Sequence, residues 1–183
     1  CAENISKSYS NLGLKIITAR AGNIIGGGDW SKDRLIPDII KAIKKGKIPE
    51  IRNPLNTRPW LYVLDVVEGY LMLGKKIYQT KNKKYFNSFN LAPTYKRPYS
   101  VLEVTKKLLN HSNNKHYISH NNKCKKENKY LSINPKKIKA QLNWKAKTSL
   151  DEALAYTANW YLNKNKADPS IYSQQHIINY FNK

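Results

Sequence analysis

The sequence predicts an α/β fold built on a parallel sheet, and two observations carry that expectation. Over residues 1–30 a helical pattern, a glycine, a β-branched run and a glycine-rich loop follow one another, which is the order of a βαβ unit. Beyond residue 31, short β-rich runs continue to alternate with capped helical patterns, as strands separated by crossover helices would.

Ala2, Ile5, Tyr9 and Leu12 recur at helical spacing and stop at Gly13, a residue suited to the position just past a helix. Leu14–Arg20 follows as a strand, and Ala21–Trp30 as a loop holding Gly22, Gly26, Gly27 and Gly28. Pro37 sits in the first turn of a helix running to about Lys45, with Leu35, Ile36, Ile39, Ile40 and Ile43 on its buried side and Gly46 closing it. Ile48–Arg52 and Trp60–Leu64 read as short strands around an Asn53-Pro54 turn. Asp65 is expected to cap a helix through about Tyr78, with Glu68 three residues on. Phe86–Leu91 reads as a strand. Ser100 and Glu103 form a second capping box, for a helix to about Asn110. Residues 111–129 read as a polar, Lys-rich excursion with a weak strand at Tyr117-Ile118. Asn134-Pro135 opens a short helix to Leu142, and Ser149–Glu152 opens another to about Asn163. The last twenty residues show no clear order.

Composition narrows the function classes. The chain has 183 residues, a hydrophobic content of 40% and a net charge of +21, enough for a folded domain with a core. It contains no apolar run of about 18 residues, so no membrane span is expected. Its first residues lack a signal peptide's basic and apolar regions. Two cysteines, Cys1 and Cys124, make no disulfide framework, so a reducing cytoplasm is the expected setting. The charge invites nucleic acid as a partner. However, Lys supplies 28 of the 33 basic residues, and Lys, Asn and Ile make 67 of 183. Those amino acids have A/T-rich codons, and base-edge readout favours the arginine fork. No nucleic-acid partner is expected.

Four of the five arginines are instead clustered. Arg20, Arg34, Arg52 and Arg58 fall within 39 residues, as if planar guanidinium groups were required there. The nearby glycines do follow a strand, but their spacing and the late helix start do not fit a phosphate-binding loop; a tight loop needing positive φ or close approach explains them better. His111, His116, His120 and Cys124 are spaced by five, four and four, which matches no usual zinc knuckle. No metal site is expected.

Several runs in this region are distinctive: Ala19-Arg20-Ala21-Gly22-Asn23-Ile24-Ile25-Gly26-Gly27-Gly28-Asp29-Trp30, Asp33–Asp38, Ile51-Arg52-Asn53-Pro54 and Thr57-Arg58-Pro59-Trp60. Together they resemble the CDP-glucose 4,6-dehydratases of the extended short-chain dehydrogenase/reductase superfamily. Tyr70-Leu71, Asn90 and Leu142-Asn143-Trp144 agree. The resemblance spans residues 1–163 and is densest over 19–71.

That resemblance implies the last part of a Rossmann-type parallel-sheet domain plus a smaller α/β substrate-binding domain. Residues 1–30 would end the NAD-binding domain and 31–183 would form mainly the sugar-nucleotide region, with about 65–92 returning to the sheet. The implied reaction is dehydration of CDP-glucose with bound NAD, through a Tyr-x-x-x-Lys dyad expected just upstream of Cys1. No catalytic residue is then expected inside the chain, and a homodimer packed through the helix at residues 1–12 is implied. Ala21 and Gly22 would pass near the nicotinamide. Asn23, Arg34, Leu35, Ile36, Arg52 and Arg58 would hold the nucleotide sugar, Arg58 through the pyrophosphate. On residue type alone, Arg58 could instead pair with Asp65, and Leu35 and Ile36 could be plain core. Arg20 reads as a buried structural pairing. Trp60, Tyr62, Tyr70, Trp144, Trp160 and Tyr161 are expected in core and interface packing.

Overall fold

The computed structural model describes residues 1–95, 97–112, 115–120, 128–162 and 168–182. Helix α1 (Ala2–Asn11) leads through Gly13, at φ 99°, into strand β1 (Lys15–Ala21). Short strand β2 (Asn23–Ile25) and helix α2 (Leu35–Lys44) follow, then β3 (Glu50–Arg52), β4 (Thr57–Arg58) and β5 (Trp60–Tyr62). Helix α3 (Val63–Gln79) returns the chain to β6 (Tyr85–Leu91). The remaining elements are β7 (Tyr99–Ser100), α4 (Val101–Leu109), β8 (Ile118–His120), α5 (Lys136–Leu142), α6 (Leu150–Leu162) and α7 (Pro169–Phe181).

Among the described residues, three of the four strand pairings are parallel. β1 lies beside β6 in register from Lys15–Tyr85 to Ala21–Leu91, β2 beside β5, and β3 beside β8; β4 and β7 run antiparallel. Parallel neighbours need long crossovers, and α3 is the last part of the one that separates β1 from β6. One core cluster, around Leu61, Val66, Leu73, Phe89, Leu91 and Trp144, packs α3 and α5 on this strand pair. A second joins α2, α4 and α6 through Ile39, Ile40, Val104, Leu108, Leu154 and Ala158.

Two glycines have no substitute in this packing. A methyl on Gly22 would fall 2.1 Å from the Pro59 carbonyl oxygen, and one on Gly27 would fall 2.2 Å from Cγ of Trp160. Close approach at Gly22, Gly26 and Gly27, and a φ of 86° at Gly28, account for the loop's glycines.

Three expectations are corrected. Asp65 is not a helix cap: α3 starts at Val63, the strand before it ends at Tyr62, and Asp65 is fully buried in the first turn. Its carboxylate accepts from the Lys147 and Thr148 amides and from the Tyr180 hydroxyl. Arg20 does pair, with Glu3 and Asn90, but half of its side chain is exposed, because it lies on the less covered side of β1. The C-terminal segment is helical: Asp168 accepts from the Ser170 amide at 2.8 Å and Pro169 occupies the first turn, so α7 starts from a standard cap.

The capping box at Ser100 is present. Its hydroxyl accepts from the Glu103 amide at 3.2 Å, and the Glu103 carboxylate accepts from the Ser100 amide at 2.8 Å. Arg97, 2.7 Å away, and these amide contacts lower the Glu103 pKa from 4.5 to about 2. Because the folded pKa is depressed, this carboxylate's contribution is present above pH 4.5 and is lost as pH falls towards 2. Ser100→Ala is expected to lower unfolding free energy by about 1 kcal/mol, read by urea denaturation at neutral pH. The deficit should shrink on acidification into that window.

Candidate functional site

The carboxyl end of β2, the start of α2 and strands β3 and β4 enclose a cleft of about 650 Å³. Every residue expected to hold a nucleotide sugar lines it: Asn23, Arg34, Leu35, Ile36, Arg52 and Arg58. They reach it from four elements up to 35 residues apart. Asn23 opens β2 and donates its amide to the Pro59 carbonyl at 2.8 Å, which fixes the strand against the Arg58-Pro59 turn. Arg34 is the N-cap residue of α2, where unpaired helical amides make the local potential positive. Leu35 is half-buried. Ile36 belongs to the main core and offers the cleft only an edge. Trp60 forms part of the wall, its indole N–H donating to the Tyr99 carbonyl at 3.1 Å. Ala21 and Gly22 do not line this cleft; they close the carboxyl end of β1 beside Leu91, whose carbonyl accepts the Gly22 amide at 3.0 Å.

The three arginines differ in setting. Arg58 is buried, at 9% exposure, and its Nη1 donates to the carbonyls of Thr57 at 2.8 Å and Asn128 at 3.0 Å. Arg34 and Arg52 are more than half exposed and face carboxylates, Asp29 at 3.8 Å and Asp33 at 3.1 Å. Exposed pairs of this kind are weak, so they can exchange partners when an anion enters.

The sequence reading missed the acidic half of the site. Asp29, Asp33, Asp38 and Glu50 all line the cleft, four carboxylates to three guanidinium groups, in a chain whose net charge is +21. Asp29 is held below the usual carboxylate range, first by the Ser31 amide, whereas burial raises Asp38. A signal was available: five of the chain's 12 acids lie within residues 29–50 and 65, and four of those are in the arginine-rich stretch. Glu50 also faces His120 at 3.2 Å. Cys124, one member of the proposed histidine and cysteine cluster, lies outside the described residues. Among the described residues no group of three possible metal ligands occurs, and no helix is long and apolar enough to cross a membrane.

The sequence profile described as GDP-mannose 4,6 dehydratase matches residues 1–157. The chain belongs to this family. Within and around the GDP-mannose 4,6 dehydratase family, it is 30% identical over 172 residues to the CDP-glucose 4,6-dehydratase of Salmonella typhimurium, covering 88% of this chain and 48% of that protein. Two solved structures show the fold. The dTDP-glucose 4,6-dehydratase of Bacillus anthracis, in complex with NAD, superposes with a TM-score of 0.73 at 20% identity, over 90% of this chain and 50% of that one. The UDP-glucose 4-epimerase of Bifidobacterium longum, in complex with NAD⁺ and UDP, gives 0.73 at 18%, over 88% and 52%. The fold is therefore α/β of the Rossmann-type epimerase and dehydratase class, and the resemblance read from residues 19–71 holds at the level of the family. The chain spans about half the length of the relatives it matches.

Proposed function

We propose that this chain forms the nucleotide-sugar-binding half of an NAD-dependent 4,6-dehydratase, with CDP-glucose as substrate. The observation that carries the reading is the convergence of Asn23, Arg34, Arg52 and Arg58 on one cleft, a cluster suited to a diphosphate bridge. Arg forks match phosphate oxygens with two donors at once, and the α2 N-terminus adds a favourable field. Leu35 and the Trp60 wall offer apolar surface for a base. The relative named CDP-glucose 4,6-dehydratase supports cytosine as that base. By the same reading residues 1–30 and about 65–92 belong to the cofactor domain, and 31–183 mainly to the substrate region, within a cytoplasmic homodimer. α1 leaves Ile5, Tyr9 and Leu12 more than half exposed, apolar surface that such a dimer would cover.

For the cofactor, Ala21 and Gly22 fit as a close surface rather than as a donor set. They lie at the carboxyl end of a parallel strand, where α/β sheets take dinucleotides, but the Gly22 amide is already bonded to Leu91. NAD, when bound, supplies the hydride acceptor and donor. This chain's residues would hold the sugar nucleotide beside it.

Isothermal titration of the chain with CDP-, UDP-, dTDP- and GDP-glucose tests the assignment. CDP-glucose should bind tightest. Equal affinities would reject the base assignment, and binding that falls steeply with salt while ignoring the sugar nucleotide would mark a general polyanion site instead.

A further inference from the structure

Residues 26–33 carry two cleft carboxylates, Asp29 and Asp33, and lead directly into Arg34. Three successive glycines leave residues 26–28 without side chains, and the tie inside the loop is short-range: Asp29 Oδ1 accepts from the Ser31 amide at 2.9 Å. The Asp29–Arg34 pair is too long and too exposed to hold the loop, at 3.8 Å with 61% of the arginine side chain accessible. The loop is gripped from outside the cleft. On one flank Tyr161 of α6 donates its hydroxyl to the Asp29 carbonyl at 2.5 Å, and its ring meets Trp30 edge to face at 5.0 Å. Gly27 lies so close to Trp160 that no Cβ fits between them. Trp160 is fixed in turn by its indole N–H, donated to the Ser173 hydroxyl of α7 at 2.9 Å. On the other flank Lys41 of α2 donates to the Trp30 and Ser31 carbonyls at 2.6 and 3.2 Å.

The geometry points to Tyr161 and Trp160 as positioning residues for the cleft: they seat the glycine loop so that Arg34, which follows it, stands where a diphosphate would meet it. Neither residue lines the cleft. The inference rests on the reading of that cleft as a nucleotide-sugar site. Displacements of about 1 Å in a positioning element are enough to degrade such contacts severely, which is why residues remote from the ligand can govern its affinity.

Tyr161→Phe removes one oxygen and leaves the ring contacts with Trp30 and Trp160, each at 5.0 Å, so the fold is retained. In the ligand-free chain, hydrogen exchange over residues 26–34 is expected to accelerate about fivefold or more, with the β1–β6 pair unchanged. The CDP-glucose Kd should rise about fivefold. In a double-mutant cycle, Arg34→Ala with Tyr161→Phe should bind no more weakly than Arg34→Ala alone. Losses that multiply, or unchanged exchange over 26–34, would overturn the inference. A wild-type chain that does not bind CDP-glucose would instead sink the reading of the cleft, and the exchange measurement would still decide whether Tyr161 holds the loop.

Discussion

Replacing Arg58 with alanine is expected to weaken CDP-glucose binding by about 10- to 100-fold, the effect of losing hydrogen bonds between a guanidinium and a charged oxygen. Arg58 is singled out by burial. Arg34 and Arg52 are more than half exposed, whereas Arg58 is 9% exposed and donates to the Thr57 and Asn128 carbonyls. Its charge therefore acts in a lower dielectric. Alanine would also release the tie to Asn128, so binding and stability must be measured separately. Arg58→Lys separates them further, since it keeps the charge and loses the fork. A lysine variant that binds like wild type would show that charge alone matters. An alanine variant with full affinity would remove Arg58 from the site.

Asp65→Ala should have the largest effect on stability. The carboxylate is completely buried, with Oδ1 accepting from the Lys147 amide at 2.9 Å and from the Tyr180 hydroxyl at 2.8 Å. Oδ2 faces the Thr148 amide at 3.4 Å. It thereby ties α3 to the segment before α6 and to α7. The Tyr180 hydroxyl keeps Glu68 as an acceptor at 3.0 Å, but alanine would leave the Lys147 and Thr148 amides without theirs, at about 1–3 kcal/mol each and on the order of 2–5 kcal/mol in all. That is a large share of the roughly 5–15 kcal/mol that stabilises a domain. Chemical denaturation should show it directly. The pH dependence has a definite sign. Burial outweighs the hydrogen bonds and raises the Asp65 pKa above 3.8, so the folded state favours the protonated carboxyl. The part of its contribution that depends on protonation is full below 3.8 and is lost as pH rises through the raised value. Asp65→Asn keeps an acceptor and does not titrate. Wild type should therefore lose stability relative to this variant as pH rises from that window to neutrality; a constant difference would refute the burial argument.

Local signals in the sequence translated well wherever a few neighbouring residues decide the structure. Gly13 and Gly46 occupy positive φ after their helices, and Ser100 with Glu103 makes the box that its spacing announces. The same kind of signal, Asp168-Pro169, was present for α7 but was outweighed by a weak apolar pattern along that helix. Asp65 shows the opposite case. Its spacing to Glu68 looks like a cap, yet partners 82, 83 and 115 residues away claim the carboxylate. The cleft was legible in part. Motif residues named its arginines and Asn23, because they recur as a recognisable string. The four carboxylates beside them were not singled out, since nothing in a string says which charges will face the same space.

By itself, then, the chain's order of residues determined its fold class, its family and a set of arginines that share one cleft, because helix ends, strand runs and motif strings are local or directly readable. The tertiary structure decided how those charges are balanced, that Asp65 is a buried tie, and that Tyr161 and Trp160 grip the glycine loop. Coulomb and hydrogen-bond energies depend on distances of a few ångströms and on exclusion of water. Both are set only when segments a hundred residues apart are packed together.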